Sequence, residues 1–121
     1  MNIPNASIPR PVAEYVSATN SGDAKSLVGL FTQDALVNDQ LVEHWGHNEI
    51  LVWAEREVVG VQLRMDVHCA IEHHGTAIVT AALDGAFDRR GLPDPLIFRF
   101  YFALDGGRIA QLFILPGQVG R

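Results

Sequence analysis

The side chain best suited to acid–base work is Asp39. It follows the apolar run Ala35, Leu36 and Val37 and precedes Leu41 and Val42, so burying those neighbours draws its carboxylate partly out of water. Desolvation penalises the charged form and raises a carboxylate pKa, as a base acting at carbon requires. The competing reading is a solvated turn residue, since Asn38-Asp39 is a turn-forming pair. Tyr15 lies on an apolar helical stripe; its hydroxyl either faces a pocket or belongs to a core ring that finds any nearby acceptor. Five histidines raise the question of a metal. His44 and His47 flank Gly46, while His73 and His74 are adjacent and point to opposite faces of a strand end. No HExxH helix is present, so spacing collects no metal site and none is expected. His44, soon after Asp39, can reach a pocket mouth as acid, base or donor, or remain an exposed loop histidine. His68 reads as structural. Cys69 shares the phase of Met65, Val67 and Ile71, where a thiol acts as a small buried apolar group.

Placing Tyr15 near Asp39 requires the elements between them to fold back. Val12, Tyr15, Val16 and Thr19 recur at i, i+3, i+4 and i+7, which predicts an amphipathic helix with Pro9 and Pro11 in its first turn. Asn20, Ser21 and Gly22 stop it, and Asp23 caps a short second helix carrying Leu27, Val28, Leu30 and Phe31. The stretch from Ala35 to Trp45 is β-like. A third helix runs from about Asn48 to Val59, burying Ile50, Trp53, Ala54 and Val58. From Gln62 the period becomes two: Leu63, Met65, Val67, Cys69 and Ile71 form one face, and His74-Gly75 turns a hairpin in which Ile71 faces Ile78 and Cys69 faces Thr80. The segment DRRGLPDP breaks the ladder. Phe98, Phe100 and Phe102 then alternate along a strand, and Asp105-Gly106-Gly107 leads into a last strand, Ile109 to Leu115. Helices in front and antiparallel strands behind define an α+β domain spanning 1–121. The outer face of the last hairpin is expected to carry Ile97, Tyr101, Ala103, Leu112 and Ile114, an apolar surface that a homodimer would bury twice.

The composition narrows the partners. With 121 residues, 48% apolar and 19% charged, the chain suits one ordinary globule. A net charge of -5, with nine Lys and Arg and no basic run, argues against nucleic acid and anionic membrane. A single cysteine excludes an intrachain disulfide and suits a reducing cytoplasm. Prolines in MNIPNASIPRP interrupt any secretory signal, and no apolar run has the length of a membrane span. No cofactor motif occurs, and no cofactor is expected.

The tyrosine ahead of an Asn-Ser-Gly-Asp corner, the segment Phe31-Thr32-Gln33-Asp34-Ala35 before a strand-ending acid, Gly46 ahead of helix three and the terminal DGGRIAQLFILPG resemble the nuclear transport factor 2-like superfamily. Its ketosteroid-isomerase and polyketide-cyclase (SnoaL-like) branches are the most similar. The resemblance spans nearly the whole chain. It implies a cone of three helices on a strongly curved, mainly antiparallel sheet enclosing an apolar pocket, commonly in a dimer. In the isomerase branch a strand-end aspartate moves a proton at carbon while a helix-one tyrosine hydrogen-bonds the enolate oxygen; Asp39 and Tyr15 match those positions. A second donor there, a neutral carboxylic acid, is replaced by Phe98 or Arg99, and neither can act as that acid. Arg99, if inward, would stabilise an oxyanion or hold an anionic ligand. In such a cone Trp53, Phe98 and Phe100 wall the ligand and His44 stands at the mouth.

Three functions follow. The first is a cofactor-independent isomerase or cyclase transferring a proton next to a carbonyl in a small apolar or aromatic molecule. The second is a non-catalytic ligand-binding or dimerisation module, and the third a protein-binding adaptor.

Overall fold

The computed structural model describes residues 8–117; residues 1–7, where most of the argument against a secretory signal falls, lie outside them. Helix α1 spans Arg10–Ser21. Pro9 supplies its first carbonyl, and Gly22 ends it in a left-handed conformation at φ 69°, donating to carbonyls of the last turn. Asp23 caps α2, Ala24–Gly29, its Oδ1 accepting from the Ser26 N–H at 3.1 Å. Phe31, expected in this helix, instead begins strand β1, Phe31–Asp39. The reason is long-range: the Leu30 carbonyl accepts from Ile109 N–H at 2.8 Å, which draws the chain into the sheet at Phe31.

Strand β2, Val42–Trp45, leads into α3, Gly46–Ala54. The helix starts two residues before its expected beginning because Gly46, at φ 80°, makes the sharp exit from β2. Glu49 then accepts from the Trp45 N–H at 2.7 Å, satisfying an orphan donor of the first turn. Over Glu55–Val59 the helix widens into a π turn that closes with Gly60 N–H donating to the Glu55 carbonyl at 2.9 Å. A side chain at Gly60 would meet the Arg56 carbonyl at 2.7 Å, so the residue must be glycine for the turn to close.

Strands β3 (Arg64–His73), β4 (Thr76–Asp84), β5 (Leu96–Asp105) and β6 (Arg108–Pro116) complete a six-stranded sheet of order β2-β1-β6-β5-β4-β3. Only β1 and β6 pair in parallel. The architecture is therefore α+β, with three helices on one face of a curved mixed sheet. Ile71 pairs with Ile78 and Cys69 with Thr80, as expected. The facing of these residues is not as expected. A bulge places Val67 and His68 opposite Ala81, and one extra residue reverses the alternation beyond it. Cys69 and Ile71 consequently lie exposed on the outer face, and Cys69 is not core filler.

A second bulge, between Ala103 and Leu104, has the same consequence in β6. Ile109 and Leu112 both turn inward, and Ile114 follows Leu112 in phase; Leu112 and Ile114 are buried on the helix side rather than on the outer face. Tyr101 and Ala103 keep the outer phase. The row crossing that face runs through Ile71, Ile78, Tyr101 and Phe113, each paired with the next.

The core lies between α1 and the inner face. Tyr15 is 1% exposed and packs edge-on against Phe102 at 5.1 Å and Phe31 at 6.3 Å. No helix among the described residues is long and apolar enough to cross a membrane.

Candidate active site

Between the helices and the inner sheet face lies a cavity of about 410 Å³, of the size that holds a small organic ligand. Its aromatic wall is Trp53, Phe87, Phe98 and Phe100, and its other apolar lining includes Val58, Leu83, Leu96 and Ile114. The loop over 85–95 contributes Phe87, Leu92 and Pro93, so the segment that interrupts the ladder also closes one side of the hollow. Its polar groups are few: the Tyr15 hydroxyl, the Asp39 and Glu57 carboxylates and the Gln40 amide.

Asp39 ends β1 on the inner phase, paired with Ile114 of β6 and Val42 of β2. Its Oδ2 accepts from the Trp53 indole N–H at 3.0 Å, and its Oδ1 from the Gln40 amide at 3.2 Å. The indole bond joins the end of β1 to the last turn of α3 and fixes the carboxylate's orientation, since Trp53 is itself 2% exposed. Gln40 and Leu41 turn the chain from β1 to β2 with both φ angles positive, at 54° and 77°, the signature of a tight hairpin turn usually made by Asn and Gly. Here the turn is held from outside: Gln40 N–H donates to the Ile114 carbonyl at 2.9 Å and Leu41 N–H to Asn38 Oδ1 at 2.8 Å. Asn38 is thus the turn former, which leaves Asp39 free to face the hollow.

The Tyr15 pKa lies well above the ordinary phenol value. Loss of hydration is the main cause, and the Asp39 charge raises it further. The neighbouring Thr19 hydroxyl offsets part of the rise through proximity alone, because Thr19 Oγ1 meets no partner in hydrogen-bonding geometry. Tyr15 therefore stays protonated and keeps an O–H to donate across the physiological range. Tyr15 and Asp39 line the same cavity.

The structure brings Asp39, Tyr15, Trp53, Phe98 and Phe100 to one cavity. Two other candidates are elsewhere. Arg99 is exposed on the outer face, paired with Thr80 and Leu115, so the inward orientation that an anionic ligand would need is not met. Phe98 occupies the inward position beside it. His44 meets Trp53 in a tilted ring contact at 6.1 Å, but with Asn48, Glu49 and Val52 it lines a separate shallow depression. Of the other histidines, His47 Nε2 meets the Phe31 carbonyl at 2.9 Å and ties α3 to the start of β1. Among the described residues, no three His, Cys, Asp or Glu side chains gather in a group that could hold a metal ion.

Glu57 is the charged lining residue that sequence reasoning missed. It lies four residues after Trp53, which by helical spacing puts both on one face; the signal was present but led from an apolar stripe to a carboxylate. The π turn then lets Glu57 and Val58, adjacent in the chain, both reach the cavity.

No model of a protein family matches the chain, and neither does any curated protein sequence. Solved structures do. A candidate polyketide cyclase from Sinorhizobium meliloti is 28% identical, with 88% of this chain and 94% of that one covered and a TM-score of 0.79. A nuclear transport factor 2-like protein of unknown function from Cytophaga hutchinsonii is 12% identical over 96% of this chain and 92% of that one, with a TM-score of 0.72. A candidate ketosteroid isomerase from Kribbella flavida is 10% identical over 93% and 79%, with a TM-score of 0.75. The helix order, the bent six-stranded sheet with its hollow, and this set of structures show that the chain has the nuclear transport factor 2-like fold.

Proposed function

We propose that the protein is a cofactor-independent isomerase or cyclase that moves a proton next to a carbonyl in a small ring-bearing molecule. Asp39 is the base, and Tyr15 donates to the oxygen on which negative charge develops. The observation that carries this reading is the convergence of the two groups on one largely apolar cavity, with Trp53 orienting the carboxylate. In such surroundings a positioned base and a donor aimed at the oxyanion lower a barrier that water raises through reorganisation. The likeness to a candidate polyketide cyclase and a candidate ketosteroid isomerase supports the same reaction class.

The test is turnover of a β,γ-unsaturated cyclic ketone by Asp39→Asn. The variant should retain its fold and melting temperature to within a few degrees while kcat drops by roughly 10²-fold or more. Turnover equal to that of the parent would remove Asp39 from the mechanism.

One observation favours a second reading. The position that would supply another oxyanion donor holds the inward Phe98, with Arg99 turned away, so the same cavity suits a binding module that has no chemistry. Ligand that raises the melting temperature without product appearing would establish it. In either case the apolar row Ile71, Ile78, Tyr101 and Phe113 supports a homodimer joined through the outer sheet face.

A further inference from the structure

The charged residues that line the cavity are both acids. Asp39 and Glu57 face it, and no Lys, Arg or His does. Arg56 approaches Glu57, Nε to Oε2 at 3.5 Å, but this pair is about half exposed and its partner lies outside the lining; a contact so open to water compensates little charge inside. Lys25, Arg64 and Arg108 are exposed elsewhere on the chain, and Arg99 faces away. The charge of the lining is thus negative.

This charge pattern conflicts with the oxyanion chemistry unless the guest resolves it. When Asp39 takes a proton, its negative charge is replaced by one on the substrate oxygen, so the total charge of the cavity does not change. Glu57 still repels that oxygen, Tyr15 supplies one O–H donor, and the protein adds no cation. Charge of one sign around a cavity only partly screened by water favours a guest of the opposite sign. Three aromatic rings, Trp53, Phe98 and Phe100, complete a lining whose π faces attract cations, whereas the Phe87 ring already carries Arg89, 5.5 Å from its centroid and paired with Asp84 at 2.7 Å.

We infer that the molecule bound in this cavity is an apolar, ring-bearing organic cation, a protonated amine or quaternary ammonium whose nitrogen lies towards Glu57 while its ring occupies the aromatic wall near Asp39. The inference rests on the reading of this cavity as the ligand site and names its substrate class. The cation brings the charge compensation that the chain itself lacks.

Three probes of one shape test it: 1-naphthylmethylammonium, 1-naphthylmethanol and 1-naphthylacetate, titrated into the full chain and followed by calorimetry and indole fluorescence. The ammonium should bind at least tenfold more tightly than the alcohol, the carboxylate should bind least, and the ammonium's advantage should shrink in high salt. Glu57→Gln should weaken the ammonium about tenfold and leave the alcohol within twofold. Equal binding of ammonium and alcohol, a preference for the carboxylate, binding of none of the three, or an unchanged ammonium affinity in Glu57→Gln would each overturn the inference. The proton-transfer reading fails by a different result, undiminished ketone turnover in Asp39→Asn, so the two are separable.

Discussion

Raising the pH above 10 should expose how thoroughly Tyr15 is desolvated. In the unfolded chain its phenol ionises near the ordinary value of 10, whereas in the folded protein burial and the Asp39 charge keep it neutral well beyond that. Above pH 10 the unfolded state therefore binds fewer protons than the native state, and stability must fall as pH rises. A single group of this kind contributes a slope of about 1.4 kcal/mol per pH unit once its unfolded form is ionised. Near pH 11 the loss from Tyr15 alone is thus about 1.4 kcal/mol, roughly a tenth to a quarter of a typical folding free energy. Other groups titrate over the same range, so the comparison is with Tyr15→Phe. That variant loses only a hydroxyl that makes no well-formed bond to Thr19, and at pH 7 its stability should lie within about 1 kcal/mol of the parent. Urea unfolding of both proteins at half-unit steps from pH 7 to pH 11 should give curves parallel below pH 9 and converging or crossing above it, with the parent falling faster. Curves that stay parallel to pH 11 would mean that the phenol is hydrated, and the proposed oxyanion donor would lose its weakly screened setting.

Two further outcomes follow from the strained turn and the outer face. Leu41 is 81% exposed at φ 77°, so Leu41→Gly removes a left-handed penalty of about 1–2 kcal/mol at an unfolded-state entropy cost of about 0.4–1 kcal/mol, and chemical denaturation should show a gain of about 0.5–1 kcal/mol; a loss would show that the exposed leucine packs against something in solution. Tyr101→Glu sets a charge in the centre of the row from Ile71 to Phe113, and sedimentation should show the parent as a dimer and the variant as a folded monomer; a monomeric parent would refute the interface.

Much of the architecture was legible because it rests on local chemistry. The Gly22 stop, the Asp23 cap and the hairpin pairings of Ile71 with Ile78 and Cys69 with Thr80 all follow from residues within a few positions of one another. The facing errors have a single physical origin. Alternation identifies a face only while every residue has a partner, and one unpaired residue in β3 and another in β6 exchanged inside for outside for everything beyond. Cys69, Leu112 and Ile114 were misplaced for that reason, and none of their own properties would have shown it. Neither bulge carries a glycine or proline to mark it: the unpaired residue is His68 in one strand and Ala110 in the other.

The site divides along the same line. Tyr15 is positioned by helical period, and Asp39 by being the last residue before a turn, so both are fixed by local sequence even though the cavity between them is not. The orientation of Asp39 depends on something less local, because Asn38 takes the turn-forming role by accepting from Leu41 N–H. Asn38-Asp39 reads equally well as a solvated turn, and what decides between the readings is which of the two side chains bonds the turn backbone. One does, and the other is released towards Trp53. Glu57 shows the complementary limit. Counting from Trp53 places it on the cavity face, but a carboxylate on an apolar stripe ordinarily marks the stripe's edge. Only the closing wall of the 85–95 loop turns that edge into the rim of a hollow. The charge of the cavity, and with it the class of guest, therefore follows from the meeting of a helix rim with a loop that carries no periodic signal at all.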